Sequence, residues 1–62
     1  MTDPVADLLT RIRNAQNVNQ HFVDMPLSSL KKRILFILKE EHYIRDFIIV
    51  KDEKGDRLRV FL

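Results

Sequence analysis

Residues 2–15 read Thr-Asp-Pro-Val-Ala-Asp-Leu-Leu-Thr-Arg-Ile-Arg-Asn-Ala, and this stretch predicts a helix with a strong start signal. Asp3 can accept hydrogen bonds from the free amides of the first turn, and Pro4 suits the first helical position because its missing N–H costs nothing there. Four apolar residues then recur at i, i+3, i+4 and i+7: Val5, Leu8, Leu9 and Ile12. We expect this narrow apolar stripe to face the core.

The rest of the chain alternates between strand-like and helix-like segments. Amide-rich residues 14–20 predict a loop, and Ser28 or Ser29 is expected to cap a second helix that reaches about Glu41. The remaining predicted elements are a strand over residues 21–26, a strand over residues 43–51, a polar turn over residues 52–56 and a strand over residues 57–62.

This α-β-α-β-β order predicts one α/β domain over residues 1–62, of the two-layer α+β kind, with two helices on one face of a three-stranded mixed sheet. The first two strands are joined through a helix, so we expect them to lie parallel with a right-handed crossover, and the last two to form an antiparallel hairpin. The inner face of the second helix is expected to carry Leu30, Ile34, Ile37 and Leu38. Leu35 and Phe36 fall outside it, which indicates either a wide core or a contact with a partner.

Composition narrows the class of protein. The absence of cysteine excludes disulfides and cysteine-ligated metals, and no apolar run is long enough to cross a bilayer. His21 and His42 stand in no metal-ligand spacing, and the single glycine leaves no phosphate-binding loop. No set of nucleophile, base and orienting group can be assembled. We therefore expect a cytoplasmic protein that is not an enzyme and has no cofactor, metal site or membrane partner.

Three basic residues, Lys31, Lys32 and Arg33, lie in or just after the first turn of the second helix. The helix dipole disfavours cations there, by a few tenths of a kcal/mol each and up to about 1 kcal/mol. Since exposed amides at a helix start favour phosphate, this placement suggests an external anion. The alternative is that the three side chains bind no ligand and are simply solvated on an outer face of the helix.

The first helix offers a second set of polar side chains outside its apolar stripe: Thr10, Arg11, Arg13 and Asn14. Arg11 can form an i, i+4 ion pair with Asp7, whereas Arg13 has no such partner. Guanidinium groups beside hydroxyls and amides suit an RNA backbone. Because no aromatic side chains are arranged for stacking bases, we expect recognition of a folded RNA through its backbone or shape.

Two features predict that the chain is a fragment. Residues 47–50 offer apolar groups to both faces of the sheet, and residues 60–62 end the chain inside a strand. The alternative is a complete small protein that self-associates through Leu35, Phe36 or the open sheet face.

The sequence resembles the family of the eighth protein of the bacterial small ribosomal subunit. Residues 2–15 match the opening of that family almost continuously, and the resemblance extends over essentially the whole chain. The other matching motifs are M-P-x-S-x-L-K over residues 25–31, I-L-K-E-E-H-Y-I-R-D-F over residues 37–47 and L-R-V-F-L over residues 58–62. The family differs at two positions, since it often has lysine in place of Ser29 and usually has glycine in place of His42.

The resemblance implies a protein that binds the central domain of small-subunit ribosomal RNA early in assembly, beside neighbouring ribosomal proteins, and can repress its own operon. In that family a Ser-Thr-Ser-x-Gly loop in the carboxy-terminal half makes the principal RNA contacts. Nothing here matches that loop, so we expect this amino-terminal half to give secondary contacts. The family pattern implies RNA contacts for Asp3, Pro4, Thr10, Arg11, Arg13, Asn14 and Lys31. Lys32 and Arg33 join them on the helix-start argument alone.

Overall fold

The start of the first helix is fixed by its N-cap residue. In the computed structural model, which describes residues 3–62, helix α1 spans Pro4–Asn17 and follows Asp3 as predicted. The Asp3 carboxylate accepts hydrogen bonds from the backbone amides of Val5 at 3.0 Å and Ala6 at 3.2 Å. Thr2, the first residue of the family motif, lies outside the described residues.

The helix α1 continues further than the sequence predicted. Residues 14–17 are helical rather than loop, because Ala15 is buried and ties the fourth turn to the core. The helix ends at Asn17 and is followed by Val18 as the C-cap and by Asn19, whose φ of 59° is left-handed. The amides of Asn19 and Gln20 return to the carbonyls of Gln16 and Ala15, which satisfies the last turn as a Schellman motif.

The second helix, α2, spans Ser29–Glu40, and Ser28 is its N-cap. The Ser28 hydroxyl accepts a hydrogen bond from the Lys31 amide at 3.3 Å. At the other end His42 has a φ of 63°, so this chain places a histidine where the turn favours glycine. The amides of His42 and Tyr43 bond to the carbonyls of Lys39 and Leu38, which makes a second Schellman motif.

The inner face of α2 differs from the prediction. Leu35 is fully buried, and Ile34 and Leu38 pack beside it, whereas Leu30 is 47% and Ile37 59% exposed. The prediction that Leu30 and Ile37 face the core is therefore wrong, because α2 is rotated about its axis relative to the predicted orientation. Because Leu35 has no exposed surface, the expectation that Leu35 contributes to self-association is wrong.

The three strands form one antiparallel sheet in the order β1-β3-β2. Strand β1 spans Phe22–Pro26, β2 spans Asp46–Val50 and β3 spans Arg57–Phe61. The element order and the α+β class are confirmed, but the expectation of a mixed sheet is wrong. Strands β1 and β2 do run in the same direction, since each is antiparallel to β3, but β3 lies between them and removes any parallel pairing.

Both helices pack on one face of this sheet. Leu8 and Ile12 of α1 and Leu35 of α2 share one core with strand residues. The other buried members of that core are Met25, Ile44, Leu58 and Val60. No helix within residues 3–62 is long and apolar enough to span a membrane.

The opposite face of the sheet carries no helix. Strand register places Phe22, Asp24, Ile48, Arg57, Arg59 and Phe61 there. Residues 47–50 serve both faces as predicted, since Phe47 packs against the core while Ile48 on the open face is 45% exposed.

Candidate nucleic-acid interface

The start of α1 and the first turn of α2 border a shallow surface depression, which we call the α1–α2 depression. It is lined by Asp3, Pro4, Ala6, Asp7, Thr10, Arg11 and Lys31. Five of the nine residues that the sequence nominated for RNA contact therefore lie together. Lys31 of α2 is 20 or more residues from the other four in sequence, so only the tertiary fold assembles them.

Asp7 organises the cations of the α1–α2 depression. Its Oδ2 atom accepts a hydrogen bond from Arg11 Nε at 3.0 Å and lies 3.8 Å from Lys31 Nζ. The i, i+4 pair of Asp7 and Arg11 is thus confirmed, and Lys31 is a second partner that sequence reasoning missed. Only helix packing brings Lys31 to α1, so no local spacing could have indicated it.

The exposure of these side chains differs. The side chains of Arg11 and Asp7 are 44% and 49% exposed, whereas that of Lys31 is only 11% exposed. Within residues 3–62, the two terminal nitrogens of Arg11 make no hydrogen bond, so they remain able to bind a phosphate in a bidentate way.

Asp3 and Pro4 line the depression but offer no free hydrogen-bond donor to a ligand. The Asp3 carboxylate is occupied by two helix amides, and Pro4 has no N–H. The lining therefore holds two carboxylates and two cations. Its formal charge is balanced, and an anion would have to compete with Asp7 for Arg11 and Lys31.

The other residues predicted to contact RNA do not line this depression. Arg13 lines a different depression with Leu9, Gln16, Leu38 and Tyr43. Asn14 is exposed on α1, one turn beyond Thr10.

The basic triplet of α2 does not form one patch. Successive helical residues lie about 100° apart, so Arg33 faces about 200° away from Lys31, on the opposite side of α2. Lys32 and Arg33 are exposed and make no ion pair with any residue in the described range 3–62.

The open sheet face holds a charged cluster that sequence reasoning missed. Asp24 accepts hydrogen bonds from Arg59 at 2.9 and 3.1 Å and from Arg57 at 3.2 Å. The hydrogen bond from Arg59, with the attraction of both guanidinium groups, lowers the pKa of Asp24 although burial opposes the shift. Alternation along each strand could place these residues on one face, but only the β1–β3 register brings them into contact.

Three aromatic side chains are exposed. Phe22 lies on the open sheet face under the Arg59 guanidinium, 4.4 Å from the ring centroid, and Phe36 and Tyr43 are 57% and 68% exposed elsewhere. In the part of the chain that the structure describes, no three His, Cys, Asp or Glu residues are grouped as metal ligands.

Comparison with known proteins identifies the family. The sequence profile of the family described as ribosomal protein S8 matches residues 3–62. The small ribosomal subunit protein uS8 of Brevibacillus brevis is 56% identical over all 62 residues, and that of Oceanobacillus iheyensis is 48% identical over the same length. The uS8 protein of Buchnera aphidicola is 56% identical.

The chain spans about half the length of these relatives, since 62 residues cover 47% of each. The match to the family profile leaves out only the first two residues of the chain. The resemblance seen in the sequence motifs is confirmed, and the chain belongs to the ribosomal protein S8 family.

Proposed function

We propose that this chain is a structural component of the small ribosomal subunit in the cytoplasm, where it contacts small-subunit ribosomal RNA and neighbouring ribosomal proteins. Family membership supports this role, and the relatives' names assign those proteins to the small ribosomal subunit. The RNA region proposed is the central domain, bound during assembly. As an amino-terminal half, the chain would give secondary contacts to the RNA backbone.

The observation that carries the proposal is the gathering of Thr10, Arg11 and Lys31 at one depression. A phosphate placed there would accept hydrogen bonds from the terminal nitrogens of Arg11, and the Lys31 ammonium would add a point charge. The Thr10 hydroxyl suits a sugar or phosphate oxygen, and Asn14 continues the same surface one turn later.

The remaining nominated residues have lesser roles in this proposal. Asp3 and Pro4 fix the start of α1 and so the position of Thr10 and Arg11. Arg13, Lys32 and Arg33 lie on other surfaces and would attract RNA only through long-range charge.

A salt titration tests the proposal. The chain is titrated onto the central-domain RNA at about 50 and 200 mM monovalent salt, and binding is followed by fluorescence anisotropy of labelled RNA. Two or three phosphate contacts predict that affinity falls about 7- to 40-fold over this range. Binding that does not depend on salt, or no binding at the lower salt, would contradict the proposal and favour a domain that interacts only with proteins.

A matched RNA separates recognition from general charge attraction. A scrambled RNA of equal length has the same phosphate number but lacks the folded shape. We expect the chain to bind the central-domain RNA more tightly than the scrambled RNA at both salt concentrations. Equal affinity for the two RNAs would contradict a specific contact.

A further inference from the structure

The side of α2 that faces away from the core is apolar at its centre. Phe36 is 57% exposed and Ile37 is 59% exposed, and Leu30 is 47% exposed one and a half to two turns earlier. On the same side of the helix, Arg33 precedes Phe36 and Ile37, and Glu40 follows them at the end of α2. We call these five residues the outer α2 face.

The charges on the outer α2 face are arranged symmetrically about its apolar centre. Arg33 precedes the midpoint between Phe36 and Ile37 by as many residues as Glu40 follows it. Both are exposed, and neither makes an ion pair with any residue of the described range. One end of the face is therefore basic and the other is acidic, with apolar side chains between them.

We propose that the outer α2 face pairs with the same face of a second copy of this chain. The two α2 helices would run antiparallel about a two-fold axis that passes beside Phe36 and Ile37. This symmetry brings Arg33 opposite the partner's Glu40, and Glu40 opposite the partner's Arg33. An interface of this kind must be complementary to itself, and the order of basic, apolar and acidic residues along α2 meets that condition only for an antiparallel copy.

The size of the face sets the strength of the pairing. The helix α2 has 12 residues, which corresponds to a length of about 18 Å. One helix of that length covers much less than the ~800 Å² per partner of a stable interface, so the dimer is weak and reversible. We expect a dissociation constant between about 100 µM and about 1 mM. The pairing does not use Arg11 or Lys31 and so is independent of the proposed RNA contact.

Exchanging the charges of Arg33 and Glu40, which form the seam of the proposed dimer, tests the proposal. Sedimentation equilibrium of the 62-residue chain up to about 1 mM measures dimerisation for the wild type, Arg33→Glu, Glu40→Arg and the double exchange. Each single exchange places like charges opposite each other twice, and we expect it to weaken dimerisation by about tenfold or more. The double exchange restores opposite charges and should recover association to within about threefold of the wild type.

The matched control is Lys32→Glu, which changes net charge as Arg33→Glu does but lies off the seam. It should leave the dissociation constant within about threefold of the wild-type value, and circular dichroism checks that every variant remains folded. A chain that stays monomeric at 1 mM overturns the proposal. The proposal is also overturned if neither single exchange weakens dimerisation, or if Ile48→Lys on the open sheet face abolishes it.

Discussion

Lys31 Nζ lies 3.8 Å from Asp7 Oδ2, the same oxygen atom that Arg11 Nε contacts at 3.0 Å. A single carboxylate on α1 thus holds one cation from its own helix and one from the first turn of α2. The contact joins the starts of the two helices and presents both cations to the α1–α2 depression. It also means that an incoming phosphate competes with Asp7 for both cations.

The competition predicts that Asp7→Asn strengthens RNA binding. Loss of the carboxylate frees Arg11 and Lys31, and two partly exposed ion pairs together contribute about 0.5–1 kcal/mol. Affinity for the central-domain RNA should rise about two- to fivefold, as measured by fluorescence anisotropy at fixed salt.

Asp46→Asn is the matched control for that substitution. Asp46 is 53% exposed, pairs with Lys39 at 3.1 Å and does not line the α1–α2 depression. The substitution changes the net charge by the same amount as Asp7→Asn. It should raise RNA affinity less than Asp7→Asn does. An equal rise for both variants would assign the effect to overall charge.

The packing of α2 predicts unequal costs for two neighbouring aliphatic residues. Leu35 is fully buried, so Leu35→Ala should lower the free energy of unfolding by about 3 kcal/mol through lost burial and a cavity. Ile37 is 59% exposed, and Ile37→Ala should change it by about 0.5 kcal/mol or less. Urea unfolding at low micromolar protein concentration measures both free-energy changes. A larger cost for Ile37→Ala than for Leu35→Ala would contradict the observed inner face of α2 and support the one predicted from the sequence.

The left-handed turn after α2 predicts that a glycine stabilises the protein. His42 has a φ of 63°, where a Cβ atom is unfavourable by about 1–2 kcal/mol. After the added flexibility of the unfolded chain is subtracted, His42→Gly should raise the free energy of unfolding by about 0.5–1 kcal/mol. His42→Ala retains the Cβ atom and should show no such gain in thermal unfolding. A destabilising glycine would contradict the turn geometry.

The cluster on the open sheet face predicts an acid-sensitive part of the stability. Arg59 and Arg57 lower the folded-state pKa of Asp24 below its ordinary value of 3.8. A lowered carboxyl pKa contributes stability that is present above about pH 4 and is lost as pH falls through the folded-state pKa.

Asp24→Asn tests this contribution. At pH 7 it should destabilise the chain by about 1–2 kcal/mol, because two charge-assisted contacts are lost. The difference from the wild type should shrink between about pH 4 and pH 2, although both proteins lose stability there. Other carboxyls with lowered pKa values, Asp46, Asp52 and Asp56, act in both proteins. A difference that stays constant down to pH 2 would contradict the ion-pair assignment.

The predictable part of this fold was local. The Asp3 cap and the start of α1 follow from side chains within a few residues of one another, and the hairpin between β2 and β3 follows from the turn at residues 52–56. The rotation of α2 and the position of β3 between β1 and β2 depend on packing between segments far apart in sequence. The alternation of apolar residues in strands and their spacing in helices predict neither the helix rotation nor the strand order.

The candidate site divides in the same way. The pair of Asp7 and Arg11 follows from i, i+4 spacing. Lys31 was predicted from the family pattern and from its place at a helix start, yet its contact with Asp7 depends on how the two helices pack. The cluster of Asp24, Arg57 and Arg59 required the strand register, and no local signal indicated it.

The central claim is that RNA phosphate binds Arg11 and Lys31 at the α1–α2 depression. Its most direct measurement is the salt dependence of RNA affinity for Arg11→Gln/Lys31→Gln and for Arg45→Gln/Lys54→Gln. The second variant removes two cations elsewhere that make no ion pair within residues 3–62. We predict that the first variant lowers the slope of log affinity against log salt by about 1.5–2 and that the control changes it by less than about 0.5. Equal slopes for the two variants would contradict the claim.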